Sequence, residues 1–252
     1  MNNVLMGILA GLVTGLSTII GALPILHKAK KWNPWRVLNL DFAMGMMLAA
    51  SAFNLIGPAY SQSSSAFGVT FALAFGALTI YGLSHIIHRW TSKSKNPADH
   101  SAQNDQHSRA WLFVIAMMLH NLPEGLASGA ALSAPSSTAG WTAVIAIVVQ
   151  NFPEGLATAA AFLSIGFSKR AAFLGAASTG LMEIFGGTIG AVFTGTTASN
   201  LPLILAFAGG AMMSVTVAEI FENIRIRSFS YLLNREFVIG SLAIILMNYA
   251  LN

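Results

Sequence analysis

The sequence predicts an all-α integral membrane protein, a bundle of eight transmembrane helices with both termini outside. Hydrophobic residues fill 55% of its 252 positions and charged ones only 9%, too few polar groups to coat a water-soluble globule of that size. Windows of about 20 apolar residues, the length that crosses roughly 30 Å of hydrocarbon, fall at 4–26, 37–60, 67–90, 110–133, 139–163, 170–195, 201–221 and 235–251. All 13 Lys and Arg residues lie in alternate connections, and such an excess in short loops marks the cytoplasmic side.

The first span lacks a basic n-region and a cleavage pattern, so it is expected to stay as a helix. Its Gly7, Gly11 and Gly15 recur every fourth position and form a small face for close helix packing. Lys28, Lys30, Lys31 and Arg36 place the first connection inside, with His27 at the interface and Asp41 expected to pair with a nearby base. On the second span Ser51 and Asn54 stand three apart and are candidate pathway residues; ordinary interhelical hydrogen bonding is the alternative. The third span ends near His85 and His88. Beyond it, residues 91–109 (TSKSKNPADHSAQNDQHSR) are polar and without hydrophobic periodicity, which predicts a mobile cytoplasmic loop. His85, His88, His100 and His107, with Asp99 and Asp105 beside the latter two, are candidate cytoplasmic metal contacts; a merely solvated loop competes with that reading. No separate soluble domain is visible, so residues 1–252 form a single transmembrane domain.

The fourth and fifth spans carry one phrase twice, His120-Asn121-Leu122-Pro123-Glu124-Gly125-Leu126-Ala127 and Gln150-Asn151-Phe152-Pro153-Glu154-Gly155-Leu156-Ala157. Gly125 and Gly129 add a second small face. Residues four apart share a helix face, so His120 points with Glu124 and Gln150 with Glu154, each beside an asparagine. The sixth span, after Lys169 and Arg170, holds one acidic residue at its middle, Glu183. Glu219 and Glu222, three apart at the cytoplasmic end of the seventh, are candidates to receive an ion on exit; Glu222 has Arg225 as an alternative partner. Arg225, Arg227 and Arg235 make the last connection basic, and the eighth span has only about 15 clearly apolar residues, short for a crossing.

Composition also excludes. The basic balance follows from the cytoplasmic loops, and no basic surface interleaved with stacking aromatics suggests nucleic acid. Cysteine is absent, which rules out disulfides and thiolate metal sites and disfavours a copper(I) carrier. Met44, Met46, Met47, Met117, Met118, Met212 and Met213 read as apolar packing.

Ionisable side chains at bilayer depth cost about 2.5–3.5 kcal/mol each on insertion scales and persist where they face a partner or pathway. Counted at about 1.5 Å per residue, the two motifs and Glu183 lie near mid-membrane. Imidazole and carboxylate are normal ligands for a divalent first-row cation, with amide oxygens as weaker additions. Three carboxylates can bridge two ions. Pro123 and Pro153 each remove a backbone donor and are expected to kink their helices, loosening the carbonyls of Leu119 and Val149. Such backbone is tolerated in a membrane only inside protein or along a water-filled cavity.

These motifs resemble those of the ZIP (Zrt/Irt-like protein) family, whose hallmark is His-Asn-x-Pro-Glu-Gly on the fourth helix and a related x-x-x-Pro-Glu-Gly on the fifth. The resemblance extends to eight helices, outward termini and a variable third loop. It implies a bundle centred on helices four and five, with helices one to three and six to eight related by inverted pseudosymmetry, and members that often dimerise. It further implies one metal site from His120, Gln150, Glu124 and Glu154 and a neighbouring one from Asn121, Asn151, Glu154 and Glu183, with the glutamates bridging. Many members have His at the position of Gln150 and some have Asp at that of Asn151, and neutral amides hold divalent metal more weakly. Family members move zinc, and sometimes iron, manganese or cadmium, into the cytoplasm.

The expected function is therefore a divalent-metal permease with no cofactor of its own, in the plasma or bacterial inner membrane. No Walker A loop is present, so the metal gradient, membrane potential or proton exchange must drive it. A membrane-embedded zinc-dependent hydrolase is the competing reading. Neither a His-Glu-x-x-His signature nor a general base outside the ligand set supports it.

Overall fold

The computed structural model describes residues 3–27, 40–93, 102–134, 137–164, 166–197 and 200–251. Helix α1 (Asn3–Ala22) runs into a 3-10 turn, Leu23–Leu26. Leu40–Ala50, a π-helical stretch Ser51–Ile56 and Gly57–Gln62 continue one another as α2. Then follow α3 (Ala66–Lys93), α4 (Ala102–Ser133), α5 (Ser137–Ser164), α6 (Lys169–Thr196), α7 (Leu201–Arg227), a 3-10 turn Phe229–Leu233, and α8 (Arg235–Leu251).

Local chemistry explains several ends. Gly166 closes α5 at φ 97°, a left-handed conformation that costs glycine little. Its amide bonds to Leu163 O at 3.0 Å and that of Phe167 to Phe162 O at 3.2 Å, the paired bonds of a Schellman end. Ser168 then caps α6, its hydroxyl accepting from the Ala171 amide at 3.3 Å. Pro202 sits in the first turn of α7, where its missing N–H has no helical partner to lose.

The bundle is apolar outside and polar within. Leu5, Leu9, Leu12, Leu16 and Ile20 on α1 and Phe67, Phe71, Phe75 and Leu78 on α3 are exposed, while Thr14, Thr18, His120, Glu124, Glu154 and Glu183 are buried. Water would reverse that distribution; lipid tails favour it. Among the described residues six helices are long and apolar enough to cross a membrane: Asn3–Leu26, Asp41–Gln62, Ala66–Ile86, Gly140–Leu163, Lys169–Gly195 and Leu201–Arg225. The remaining two, α4 and α8, are the polar-rich motif helix and a 17-residue helix.

Helix α6 lies along α4 and α1, α1 also packs on α5, α3 lies along α7, and α8 along α2. The small face foreseen on α1 meets the equivalent face of α6: a Cβ on Gly11 would stand 2.7 Å from Gly187 Cα. The methionines pack as expected, with Met46, Met47 and Met212 in one core with Leu55, Ile147 and Ile244, and Met44 beside Ile220 and Phe237.

Two boundaries differ from expectation. Residues 91–93 end α3 and 102–109 begin α4, so helix occupies much of the stretch anticipated as loop; Ala102, Gln103, Gln106 and Arg109 are adequate helix formers despite their polarity. The π-helical stretch in α2 was not anticipated, and it carries both Ser51 and Asn54.

Candidate metal site

Helices α4 and α5 run unbroken through Pro123 and Pro153 and bring the two copies of the motif together against α1 and α6. The glycine that follows each motif glutamate makes this approach fit. A Cβ on Gly125 would lie 2.1 Å from the carbonyl oxygen of Glu183, and one on Gly155 would lie 2.0 Å from that of Thr18. Backbone therefore rests on backbone beside each glutamate.

His120, Asn121, Glu124, Gln150, Asn151 and Glu183 are fully buried and Glu154 is 1% exposed. Their hydrogen bonds fall into two groups, one on Glu124 and one on Glu183. Gln150 Nε2 donates to Glu124 Oε1 at 2.6 Å. Asn121 Nδ2 donates to Glu183 Oε1 at 3.0 Å, and Asn151 Nδ2 to Glu183 Oε2 at 2.5 Å and to Thr14 O at 3.0 Å. Thr18 Oγ1 donates to Glu183 Oε1 as well. Glu124, Glu154 and Glu183 lie within range of mutual electrostatic repulsion, and Glu219 on α7 acts on Glu154 in the same way.

The amide nitrogens are thus spent on carboxylates while the lone pairs are not. Both ring nitrogens of His120, both carboxylate oxygens of Glu154, Glu124 Oε2, Gln150 Oε1, Asn121 Oδ1 and Asn151 Oδ1 are buried without a hydrogen-bond partner. Each orphaned group costs about 1–3 kcal/mol, so concentrating them at one place demands compensation. Carboxylate oxygens, amide oxygens and imidazole nitrogen are all able to donate electron pairs to a metal ion, so these groups could hold a cation. Among the described residues no three His, Asp or Glu side chains stand together as a ready-made ligand set. A site here would have to draw on amide oxygens as well.

The outlying candidates separate. Ser51 is buried and bonds back to Met47 O at 2.8 Å. Asn54 accepts from Asn248 Nδ2 at 2.6 Å, leaves its own Nδ2 unpaired, and lines a narrow cleft with Gln62, Ala131 and Leu205. Glu219 is half-buried, whereas Glu222 is exposed and pairs with Arg225 at 3.6 Å. Asp41 is buried and accepts from Asn234 Nδ2 at 2.6 Å; His27 is exposed, its carbonyl accepting from Lys169 Nζ at 2.6 Å. His85 is exposed and stacks on Tyr81. His88 and His107 fall on α3 and α4, but their side chains, like the whole of His100, lie outside the described residues.

Sequence reasoning missed Thr14 and Thr18, the contribution of α1. Their signal was present: they share a helical face with Gly11 and Gly15, already recognised as a packing surface. Gly155 was visible in the second motif, but its packing role as the counterpart of Gly125 was not.

Buried carboxylate, amide and imidazole groups inside a helical bundle whose exterior suits lipid mark a multi-pass membrane protein. Comparison with known proteins gives the family. Residues 93–227, which hold both motifs, Glu183 and Glu219, match the family model described as ZIP zinc transporter. The chain is 34% identical over 226 residues to zinc transporter GufA of Myxococcus xanthus, covering 86% of this chain and 87% of the relative. It is 33% identical over 224 residues to zinc transporter ZIPB of Bordetella bronchiseptica, covering 86% and 72%, and 30% identical over 217 residues to zinc transporter ZupT of Escherichia coli, covering 83% and 82%. The chain belongs to the ZIP zinc transporter family, and it is a transporter, not an enzyme.

Proposed function

We propose that this protein carries divalent metal, zinc first among the candidates, across the membrane into the cytoplasm. The observation that carries the reading is the set of buried, unpartnered lone pairs on His120, Asn121, Glu124, Gln150, Asn151 and Glu154, with Glu183 hydrogen-bonded to Asn121 and Asn151. In this reading His120, Glu124, Gln150 and Glu154 hold one ion; Asn121, Asn151, Glu154 and Glu183 hold a second beside it. Glu154 is common to both. The amides at 150 and 151 make binding weaker than imidazole and carboxylate would, which suits a site that must release its cargo and admits Fe²⁺, Mn²⁺ and Cd²⁺ alongside Zn²⁺.

All eight helices cross the bilayer in this account. The basic connections lie in the cytoplasm and both termini lie outside. Asn54 and Ser51 lie on the outer approach, and Glu219, through its electrostatic link to Glu154, on the inner one; Glu222, drawn to Arg225, is left off the route. The metal gradient, the membrane potential or exchange for protons drives the movement, because carboxylates and imidazole shed protons when they bind metal. Lipid surrounds the bundle, and family likeness adds a second copy as partner.

The test is uptake by purified protein in liposomes loaded with a zinc-sensitive dye, with Fe²⁺, Mn²⁺ and Cd²⁺ as competitors. Zinc influx above protein-free liposomes supports the reading. Influx no greater than the blank, from protein that melts cooperatively, contradicts it.

A further inference from the structure

We propose that Thr18 on α1 is a positioning residue for the metal site: its hydroxyl orients the Glu183 carboxylate and, through it, the amides of Asn121 and Asn151. This inference rests on the transport reading above.

The three carboxylates differ in how their lone pairs are used. Glu154 has neither oxygen paired, Glu124 is held at Oε1 by Gln150, and Glu183 takes donors at both oxygens. An ionised carboxylate offers about four lone-pair sites, and Thr18, Asn121 and Asn151 fill three on Glu183, so it is the most fully engaged of the three. Two of those donors are proposed metal ligands. Because their NH₂ groups are pinned to Glu183, their Oδ1 atoms point elsewhere and remain unpaired. The orientation of one carboxylate therefore sets the orientation of two amide ligands, and Thr18 donates to it without being a proposed ligand itself.

Its bond is also not the one a helical threonine ordinarily makes. Ser51, Thr70, Thr79, Thr188 and Thr216 each bond back to the carbonyl four residues earlier in their own helix. For Thr18 that carbonyl is Thr14 O, which already accepts from Ser17 Oγ and Asn151 Nδ2. The hydroxyl crosses to α6 instead. The backbone behind it has little room to shift: a Cβ on Gly155 would stand 2.0 Å from Thr18 O, and one on Gly180 would stand 3.4 Å from Thr18 Cβ. Thr18 is wedged between α5 beside Glu154 and α6 one turn before Glu183, with its own exposure at 0%.

Groups that orient metal ligands typically change affinity or activity by about 10–100-fold when removed. Thr18→Val keeps the shape and deletes the donor; Thr18→Ser keeps the donor. Zinc uptake in liposomes should show KM raised about 10-fold or more for Thr18→Val, with the maximal rate per folded molecule within about threefold of wild type, and KM largely restored by Thr18→Ser. Melting without zinc is recorded for all three proteins. A Thr18→Val KM equal to wild type overturns the proposal, as does Thr18→Ser failing like Thr18→Val. So does a Thr18→Val that loses its cooperative melt while Thr18→Ser keeps it, because the hydroxyl then serves folding. Wild-type liposomes separate the two readings: no influx through wild type sinks transport, whereas normal influx with an unaltered Thr18→Val sinks only the role of Thr18.

Discussion

Replacing Glu154 with leucine should stabilise the metal-free protein and abolish its response to zinc. Glu154 is buried with both oxygens unpartnered and with Glu124, Glu183 and Glu219 near enough to repel it. Two orphaned oxygens at about 1–3 kcal/mol each put the relief at about 2–6 kcal/mol as an upper range. Replacements of buried ionic groups by apolar residues of similar volume gain about 1–4 kcal/mol in practice, and the lower range is the better guide because leucine does not reproduce the outline of glutamate. For a chain of this size each kcal/mol moves the melting point by about 2–4 °C, so the metal-free variant should melt several degrees above wild type. Zinc at about 100 times its Kd adds about 2.7 kcal/mol to a protein that binds it at one site; wild type should gain that increment and Glu154→Leu should gain none. The assay is a fluorescence melt in detergent with and without zinc, paired with liposome uptake. A side chain that only braced the bundle would give the opposite sign: lower stability without zinc and an intact zinc shift. Either outcome, or normal uptake by the variant, refutes the reasoning.

Gln150→His should tighten zinc binding about 10-fold by calorimetry, since imidazole is a better zinc ligand than an amide; an unaltered Kd would mean that position 150 does not reach the ion. Gly125→Ala places a methyl 2.1 Å from the Glu183 carbonyl and should cost about 1–3 kcal/mol through overpacking together with loss of the zinc-induced melting shift; unchanged melting would show that α4 and α6 are not in backbone contact there. Glu222→Gln breaks an exposed pair with Arg225 worth well under about 1 kcal/mol and should leave uptake unchanged. Glu219→Gln should slow uptake while zinc still shifts the melt; equal uptake by the two variants would remove Glu219 from the route.

The repeated phrase in α4 and α5 was readable because helical spacing converts it directly into two polar faces, and Glu183 stood out as the lone acid of an apolar span. What the structure adds is the pairing of Gln150 with Glu124 and of Asn121, Asn151 and Thr18 with Glu183. The α1 contribution was harder to read, since Thr14 and Thr18 resemble the many serines and threonines that bond back along their own helices, as Thr79 and Thr216 do. Only the packing partner reveals that Thr18 donates elsewhere. Ser51 and Asn54 were visible as polar residues three apart, but the π-helical turn beneath them has no composition signal. The polarity of 102–109 suggests loop, whereas a helix that leaves hydrocarbon can extend into water on backbone hydrogen bonds and moderate propensity alone.

The central claim is that lone pairs from α4, α5 and α6 meet on one cation path. Anomalous scattering at the zinc edge from zinc-loaded crystals of the wild-type protein tests it most directly. A peak should appear with Glu154 oxygen and His120 nitrogen about 2.0–2.2 Å away and be lost in Glu154→Ala. Zinc bound only at loop histidines, with the buried cluster showing no anomalous density, would contradict it.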